Sequence, residues 1–306
     1  MIEFKDVSKA FSSKKILDHA NFTIENEEFF VLVGPSGSGK TTTLKMINRL
    51  VSHSEGKILI NEEDVTSTDL RKLRLSIGYV LQQIALFPNL TVAENIALIP
   101  EMKGWKKEEI AARTAELLDL VGLKAEDYAN RMPADLSGGE QQRVGILRAI
   151  AANPEIVLMD EPFSALDPIS RHQLQIFIKD LQRKMKLTVV FVTHDLAEAL
   201  YLADRVAVMN EGLIQQIAQP QEIYKNPAND FVRSFFKEYQ QNLSNVTVEH
   251  LDLTAPSVSP EAMEVAPETN ISELIKRLAD QEALHYKGQQ ITSDDIVKFM
   301  AGGAKG

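Results

Sequence analysis

Over the first sixty residues the apolar positions come in short runs of β-branched and aromatic residues between polar turns. The runs are Ile2-Glu3-Phe4, Ala20-Asn21-Phe22-Thr23-Ile24, Phe29–Val33 and Gly56-Lys57-Ile58-Leu59-Ile60, and this pattern predicts strands. Beyond Val92 the period changes. Ile110, Thr114, Leu117 and Val121 fall at i, i+4, i+7 and i+11 on one face, with Gly122 placed as a C-cap, which predicts a helical insertion that ends near Leu123. Apolar runs return as Ile156-Val157-Leu158-Met159 and Thr188-Val189-Val190-Phe191-Val192. Neither is interrupted by charge, as expected of parallel strands buried on both faces. Residues 171–185 between them read as a helix, giving a βαβ unit. A last hairpin is predicted from Arg205-Val206-Ala207-Val208-Met209, the turn Asn210-Glu211-Gly212, and Leu213-Ile214-Gln215-Gln216-Ile217.

Composition narrows this picture by exclusion. No apolar run in the 306 residues approaches the roughly 20 needed to span a bilayer. The start, Met1-Ile2-Glu3-Phe4-Lys5-Asp6, lacks the apolar stretch of a secretory signal, so a cytosolic chain is expected. The absence of cysteine removes disulfides, thiolate metal sites and a cysteine nucleophile. A net charge of -10 argues against nucleic acid as a partner. Half of that charge lies after Gln240, where ten acidic residues face five basic ones, and Ala255-Pro256-Ser257-Val258-Ser259-Pro260 reads as a linker within that tail.

The chemistry starts at Gly34-Pro35-Ser36-Gly37-Ser38-Gly39-Lys40-Thr41, which follows the run Phe29–Val33 and precedes the helix-like Thr42-Thr43-Leu44-Lys45-Met46-Ile47. A strand, this loop and a helix in that order make a P-loop that binds a nucleoside triphosphate. Its glycines let successive N–H groups turn toward phosphate oxygens at a helix N-terminus. Lys40 reaches the terminal phosphates as a point charge, and the Thr41 hydroxyl ligates Mg²⁺. Asp160 and Glu161 close the run that begins at Ile156. Asp160 is the expected partner of Thr41 and of the Mg²⁺ hydration shell, and Glu161 the general base or positioner of the attacking water. His194, in Val192-Thr193-His194-Asp195, is placed to contact the γ-phosphate or to hold Glu161 and water in line. Ser137, Gly138 and Gly139 open a further helix in Leu136-Ser137-Gly138-Gly139-Glu140-Gln141-Gln142-Arg143, so one chain carries two anion-binding helix ends.

With these motifs in this order, the chain from about Ile2 to Phe236 resembles an ATP-binding cassette (ABC) transporter ATPase subunit. The resemblance implies a P-loop NTPase core of the RecA-like α/β class, with an N-terminal antiparallel β subdomain and an inserted helical subdomain at about 88–150. It implies ATP and Mg²⁺ as ligands and Phe11 as the adenine-stacking aromatic. It also implies Gln82 as the residue that touches Mg²⁺ or water, and Ser164-Ala165-Leu166-Asp167 as a loop at the nucleotide. In the family two subunits pair head to tail, each closing its Ser137–Gly139 equivalent over the other's ATP, so a homodimer is implied. Residues 82–92 resemble the loop that reports nucleotide state to a permease, although Ile84, Leu86 and Phe87 could equally be core residues.

Leu86-Phe87-Pro88-Asn89-Leu90-Thr91-Val92, Phe163-Ser164-Ala165-Leu166-Asp167-Pro168 and Asn226-Pro227-Ala228-Asn229-Asp230-Phe231-Val232 are similar to bacterial importers of glycine betaine, carnitine or choline. That likeness implies integral membrane permease subunits, an extracellular solute-binding protein or domain, and a place on the cytoplasmic face of the membrane. An importer of another small solute, or a soluble ABC ATPase, are the alternatives. The division expected is 1–240 for the cassette and 241–306 for an acidic tail. In that tail residues 263–275 and 290–297 resemble the two ends of a single cystathionine-β-synthase-like (CBS) module whose central strands are missing.

Overall fold

The computed structural model describes residues 1–12, 14–164, 166–244, 247–251, 253, 262–279, 283–292 and 295. Strands β1 (Ile2–Phe11) and β2 (Lys14–Ile24) form a hairpin. Both run well past the short apolar runs, because β1 alternates only over Ile2–Phe4 and then irregularities in its pairing with β2 break the period, leaving Lys5 and Asp6 both exposed and Val7 and Ser8 both buried. Next come β3 (Phe29–Val33), α1 (Lys40–Ile47), β4 (Glu55–Ile60) and β5 (Glu63–Asp64), and then α2 (Leu70–Ser76) and β6 (Ile77–Val80). The order β2-β1-β4-β5 makes an antiparallel four-stranded sheet.

The helical insertion holds α3 (Val92–Met102), α4 (Lys107–Leu120), α5 (Ala125–Tyr128) and α6 (Gly138–Ile150). Thr91 opens α3 with a capping box to Glu94, and Gly122, at φ 72°, follows the end of α4. Ile110, Thr114, Leu117 and Val121 are all buried, as their spacing requires.

The second half of the cassette contains β7 (Ile156–Asp160), α7 (Pro168–Met185), β8 (Thr188–Thr193), α8 (Leu196–Leu202), β9 (Arg205–Asn210) and β10 (Leu213–Ala218). A six-stranded sheet of order β10-β9-β3-β8-β7-β6 forms, parallel except for the β9–β10 hairpin. Its strands divide their side chains between two cores, as a sheet buried on both faces must. Phe29, Val31, Val33, Val157, Met159, Val189 and Phe191 pack toward the helical insertion, α7 and α8. Phe30, Leu32, Ile156, Leu158, Val190 and Val192 pack toward α1 and the antiparallel sheet.

Gly78, in edge strand β6, fixes how close α6 comes to the sheet. A Cβ at that position would lie 2.5 Å from the Ala149 carbonyl oxygen, so only glycine admits this approach.

After α9 (Pro220–Lys225), helix α10 (Asp230–Ser244) carries the chain through the boundary expected at Gln240. The tail then builds β11 (Met263–Glu264), α11 (Ile271–Ala279), β12 (Leu284–Tyr286) and β13 (Gln289–Ile291) around Val248, Leu251, Val265, Ile271, Leu274, Leu284 and Ile291. The strands expected to be missing are therefore present. β12 and β13 are antiparallel across Lys287-Gly288, and β11 runs parallel to β12. At three residues each they are too short for alternation to reveal them in a sequence. The expected linker 255–260 lies outside the described residues, as do Ser293, Asp294, Ile296 and Val297 of the segment read as the module's close.

Gly78→Ala is expected to destabilise the protein by about 1–3 kcal/mol through overpacking against Ala149. A urea unfolding midpoint equal to that of wild type would show that β6 and α6 can separate without cost.

Candidate functional site

Parallel pairing brings the C-terminal ends of four strands to one edge of the sheet. Val33 is opposite Thr193, Asp160 opposite Val192 and Val80 opposite Met159. The glycine-rich loop, His194, the Asp160–Glu161 pair and Gln82 each follow directly on one of these ends. This edge is where open α/β sheets bind ligands.

In the loop, Gly39 takes φ 105° at the start of α1, and a Cβ there would lie 2.4 Å from the Ile16 carbonyl oxygen of β2. Both requirements exclude other residues. Lys40 is buried, and its Nζ donates to Gly34 O at 2.7 Å and Pro35 O at 2.9 Å. Burial holds its ammonium below the usual lysine range, while the Glu161 and Asp160 carboxylates act to raise it. Ser38 Oγ is buried with no hydrogen-bond partner among the described residues. A buried hydroxyl left open in a loop of inward-turned backbone fits a phosphate oxygen. Pro35, Ser36 and Gly37 are exposed, and Thr42 is half-buried.

Thr41 Oγ1 donates to Asp160 Oδ1 at 2.7 Å, and Lys45 Nζ lies 3.5 Å from Asp160 Oδ2. A hydroxyl and a carboxylate side by side form the hard oxygen donor set that suits Mg²⁺. Lys45, which pattern reading passed over as a helix residue, is the cation paired with Asp160 in this structure. Its one signal in the sequence is its place one helical turn after Thr41, where i, i+4 neighbours share a face.

Glu161 has a left-handed backbone, φ 44°, uncommon for a residue with a side chain. Its N–H donates to Val192 O at 3.0 Å, which fixes the turn. Two groups meet on one oxygen. Gln82 Nε2 donates to Glu161 Oε2 at 3.4 Å, and His194 Nδ1 lies 3.0 Å from the same atom. A ring that carries its proton on Nδ1 donates to Oε2 and leaves Nε2 as an acceptor.

Behind His194, Thr193 Oγ1 donates to Glu198 Oε2 at 2.5 Å and accepts from the Asp195 N–H at 2.9 Å. Glu198 is buried, and desolvation raises its carboxyl to about 7 against the pull of the Thr193 hydrogen bond. Sequence reading missed this residue, although its place as the one charge in the otherwise apolar Leu196–Leu202 helix was an available signal of burial.

Other residues named from the sequence stand apart. Ser137 caps α6 through a capping box, with its N–H donating to Glu140 Oε2 at 2.7 Å. Glu140 is held below the usual carboxylate range, first by that bond and also by the Tyr128 hydroxyl. Among the described residues no hydrogen bond or ion pair joins Ser137, Gly138 or Gly139 to the Gly34–Thr41 loop. Gly139 instead faces Ser170 in the first turn of α7, next to Asp167, whose Oδ1 accepts from Ser170 N–H at 3.0 Å. Ala165 lies outside the described residues. Phe11 is half exposed at the end of β1, with Lys9 Nζ 4.5 Å from its ring centroid. In the segment after Gln82, Leu86 and Ile84 belong to the core, whereas Phe87 is 51% exposed. Asn95 holds Phe87 in place, accepting from its N–H at 2.9 Å and donating to its carbonyl at 3.2 Å.

Comparison with known proteins agrees with this geometry. The sequence model of the ABC transporter family matches residues 17–164. The osmoprotectant import ATP-binding protein OsmV of Salmonella typhimurium is 50% identical over 240 residues, which cover 77% of this chain and 63% of that protein. The choline transport ATP-binding protein OpuBA of Bacillus subtilis is 44% identical over 286 residues, 90% of this chain and 75% of that one. The chain belongs to the ABC transporter ATP-binding family. A solved dimeric ABC transporter cassette, MJ0796, superposes with a TM-score of 0.65 at 36% identity, covering 72% of this chain and 99% of that one. The chain thus spans less than two thirds of the length of the OsmV relative. The fold of this ABC protein is the expected P-loop α/β core with its antiparallel and helical additions.

Glu198→Gln tests the buried carboxyl. An acid raised from its ordinary 4.5 to about 7 costs nothing below about pH 4.5, where both folded and unfolded chains hold the proton. Its cost grows as pH rises and is complete above about pH 7, where the folded chain must bury a charge. The variant is expected to gain roughly 2–3 kcal/mol more stability at pH 8 than at pH 5. Denaturation curves with equal gains at both pH values would place the Glu198 titration outside this window.

Proposed function

We propose that this chain is the ATPase subunit of an importer, hydrolysing Mg²⁺-ATP in a head-to-tail homodimer to drive solute uptake through a membrane permease. The observation that carries the reading is the meeting of Gln82 and His194 on Glu161 Oε2, one residue from the Thr41–Asp160 pair. Glu161 accepts the proton of the attacking water, or orients it, while His194 and Gln82 hold the carboxylate in one rotamer. Lys40 exchanges the Gly34 and Pro35 carbonyls for the β- and γ-phosphates. Thr41, Asp160 and Gln82 hold Mg²⁺, which when bound supplies charge neutralisation at the phosphates. Phe11 stacks on the adenine.

Ser137, Gly138, Gly139 and Asp167 serve the partner's nucleotide. That no hydrogen bond or ion pair among the described residues joins Ser137, Gly138 or Gly139 to the chain's own loop supports a head-to-tail dimer, and the MJ0796 cassette is dimeric. The relatives named above import osmoprotectants or transport choline, which supports a quaternary-amine osmoprotectant such as glycine betaine, carnitine or choline as the solute. No helix among the described residues is long and apolar enough to cross a membrane. Transport therefore calls for permease subunits, with this chain docked on their cytoplasmic face and an extracellular solute-binding protein or domain delivering the solute. The exposed ring of Phe87, braced by Asn95, is the contact offered to the permease. Nucleic acid is not a partner. The tail at 241–306 is a regulatory appendage built on a single CBS-like module.

Glu161→Gln keeps the shape of the side chain and removes its basicity. It is expected to lower turnover by about 10²–10⁴-fold and to trap an ATP-bound dimer. Size-exclusion chromatography with ATP checks this, and a monomer, or wild-type turnover, would remove Glu161 from the role.

Lys40→Ala is expected to weaken ATP binding by about tenfold or more. Ser137→Ala should leave binding within about twofold while cutting turnover, since Ser137 acts only on closure. Equal losses of affinity in equilibrium binding would contradict the shared site.

A further inference from the structure

One guanidinium spans two loops that are far apart in sequence and adjacent at the site. Arg171 stands in the first turn of α7, where its N–H donates to Asp167 O at 2.9 Å. Its Nη2 donates to Leu166 O at 3.2 Å, and its Nη1 lies 3.8 Å from Asp195 Oδ2. Leu166 directly precedes Asp167, and Asp195 directly follows His194. The Asp195 carboxylate is itself fixed, because its Oδ1 caps α8 by accepting from Ala197 N–H at 2.7 Å. The same two loops also meet at Glu161. Its carbonyl accepts from Ser164 N–H at 3.3 Å and Ser164 Oγ at 3.1 Å, and its carboxylate lies against His194. The described links are Ser164 to the Glu161 carbonyl, Arg171 to the Leu166 carbonyl and to Asp195, and His194 to the Glu161 carboxylate, while Ser164 and Leu166 are joined along the chain through Ala165, which lies outside the described residues.

We infer that Arg171 is a positioning residue that ties the Asp167 loop to the His194 loop, so that movement of the first sets the second. The inference rests on the proposed dimer, in which the Asp167 loop meets the partner subunit and shifts when the dimer closes. The Leu166 hydrogen bond and the Arg171–Asp195 ion pair carry that shift to Asp195, and the chain passes it to the adjoining His194 and so to the Glu161 carboxylate. The chemistry asks for arginine. A planar fork reaches a carbonyl and a carboxylate at once from a fixed orientation, whereas a lysine ammonium on a flexible stem does not hold the two apart.

The test uses the full chain without nucleotide and reads the histidine imidazole resonances by NMR, with those of His194 identified by their loss in His194→Gln. Arg171→Gln is expected to move the His194 ring resonances, Arg171→Lys to move them less, and both to leave His19, His53 and His285 in place. A His194 signal unmoved in Arg171→Gln overturns the inference, whatever the chain's enzymatic activity. In turnover, Arg171→Gln is expected to lower kcat about ten- to a hundredfold with nucleotide affinity unchanged. Combined with Asp195→Asn, it should be no slower than the worse single variant, since both break the same link. Additive losses, or affinity falling in step with kcat, also overturn it. Should Arg171→Gln fail to fold, Arg171→Lys carries the same readouts with charge retained. A wild-type chain without Mg²⁺-ATPase activity would overturn the proposed function instead, and the resonance shift would then decide this inference alone.

Discussion

Parallel pairing of β6, β7, β8 and β3 is the constraint from which the site follows. Parallel strands end on the same edge, so each one delivers whatever residue comes next to a common line. Gln82, Asp160, Glu161, His194 and the Gly34–Thr41 loop are spread over most of the cassette sequence, yet each lies within two residues of such an end. The strands can pair this way only because both of their faces are covered. The helical insertion with α7 and α8 buries one face and the antiparallel sheet with α1 buries the other. Removing either layer would expose a continuous apolar surface and dissolve the edge along with it.

On that edge the arrangement trades local comfort for function. Glu161 adopts a backbone conformation that costs a side-chain-bearing residue about 1 kcal/mol or more, and the Val192 carbonyl holds it there. Lys40 is buried on two carbonyls, and Ser38 keeps a buried hydroxyl with no partner among the described residues. Glu198 is buried as a carboxyl raised to about 7. Each would be a defect in a protein selected for stability alone. Lys40 and Ser38 lie in the P-loop proposed to cradle a phosphate chain, and Glu161 beside the Thr41–Asp160 pair proposed to hold a hard cation.

The Ser137–Gly139 helix end lies beside the Asp167 loop and makes no bond to the chain's own P-loop among the described residues. Under the proposed head-to-tail dimer, a site divided in this way is incomplete in one copy, and closure is then a means of controlling hydrolysis rather than a by-product of assembly. In that reading the inferred link through Arg171 gives the control a physical route, because the Leu166 hydrogen bond and the 3.8 Å Arg171–Asp195 ion pair connect the Asp167 loop to the segment whose His194 lies against the Glu161 carboxylate.

The P-loop, the Asp160–Glu161 strand end, His194 and the Ser137 helix start were legible in the sequence, because each depends on local order: an apolar run, then a short polar motif; Gln82 was named only through the family resemblance. The two-sided burial of β7 and β8 and the helical face at Ile110, Thr114, Leu117 and Val121 were legible for the same reason, since period and charge are local properties. What tertiary structure alone decided are the relations between distant positions. Nothing near Arg171 or Glu198 in sequence says that they face the Leu166 carbonyl with Asp195, or Thr193, and Lys45 has only its i, i+4 spacing from Thr41 to suggest Asp160, because those partners are set by strand order and helix packing. The sequence left Leu86 and Phe87 undecided between core and surface, and only their packing separated them. The short strands β12 and β13 escaped notice because three residues cannot show a period, and it is the tail's own small core that makes them strands.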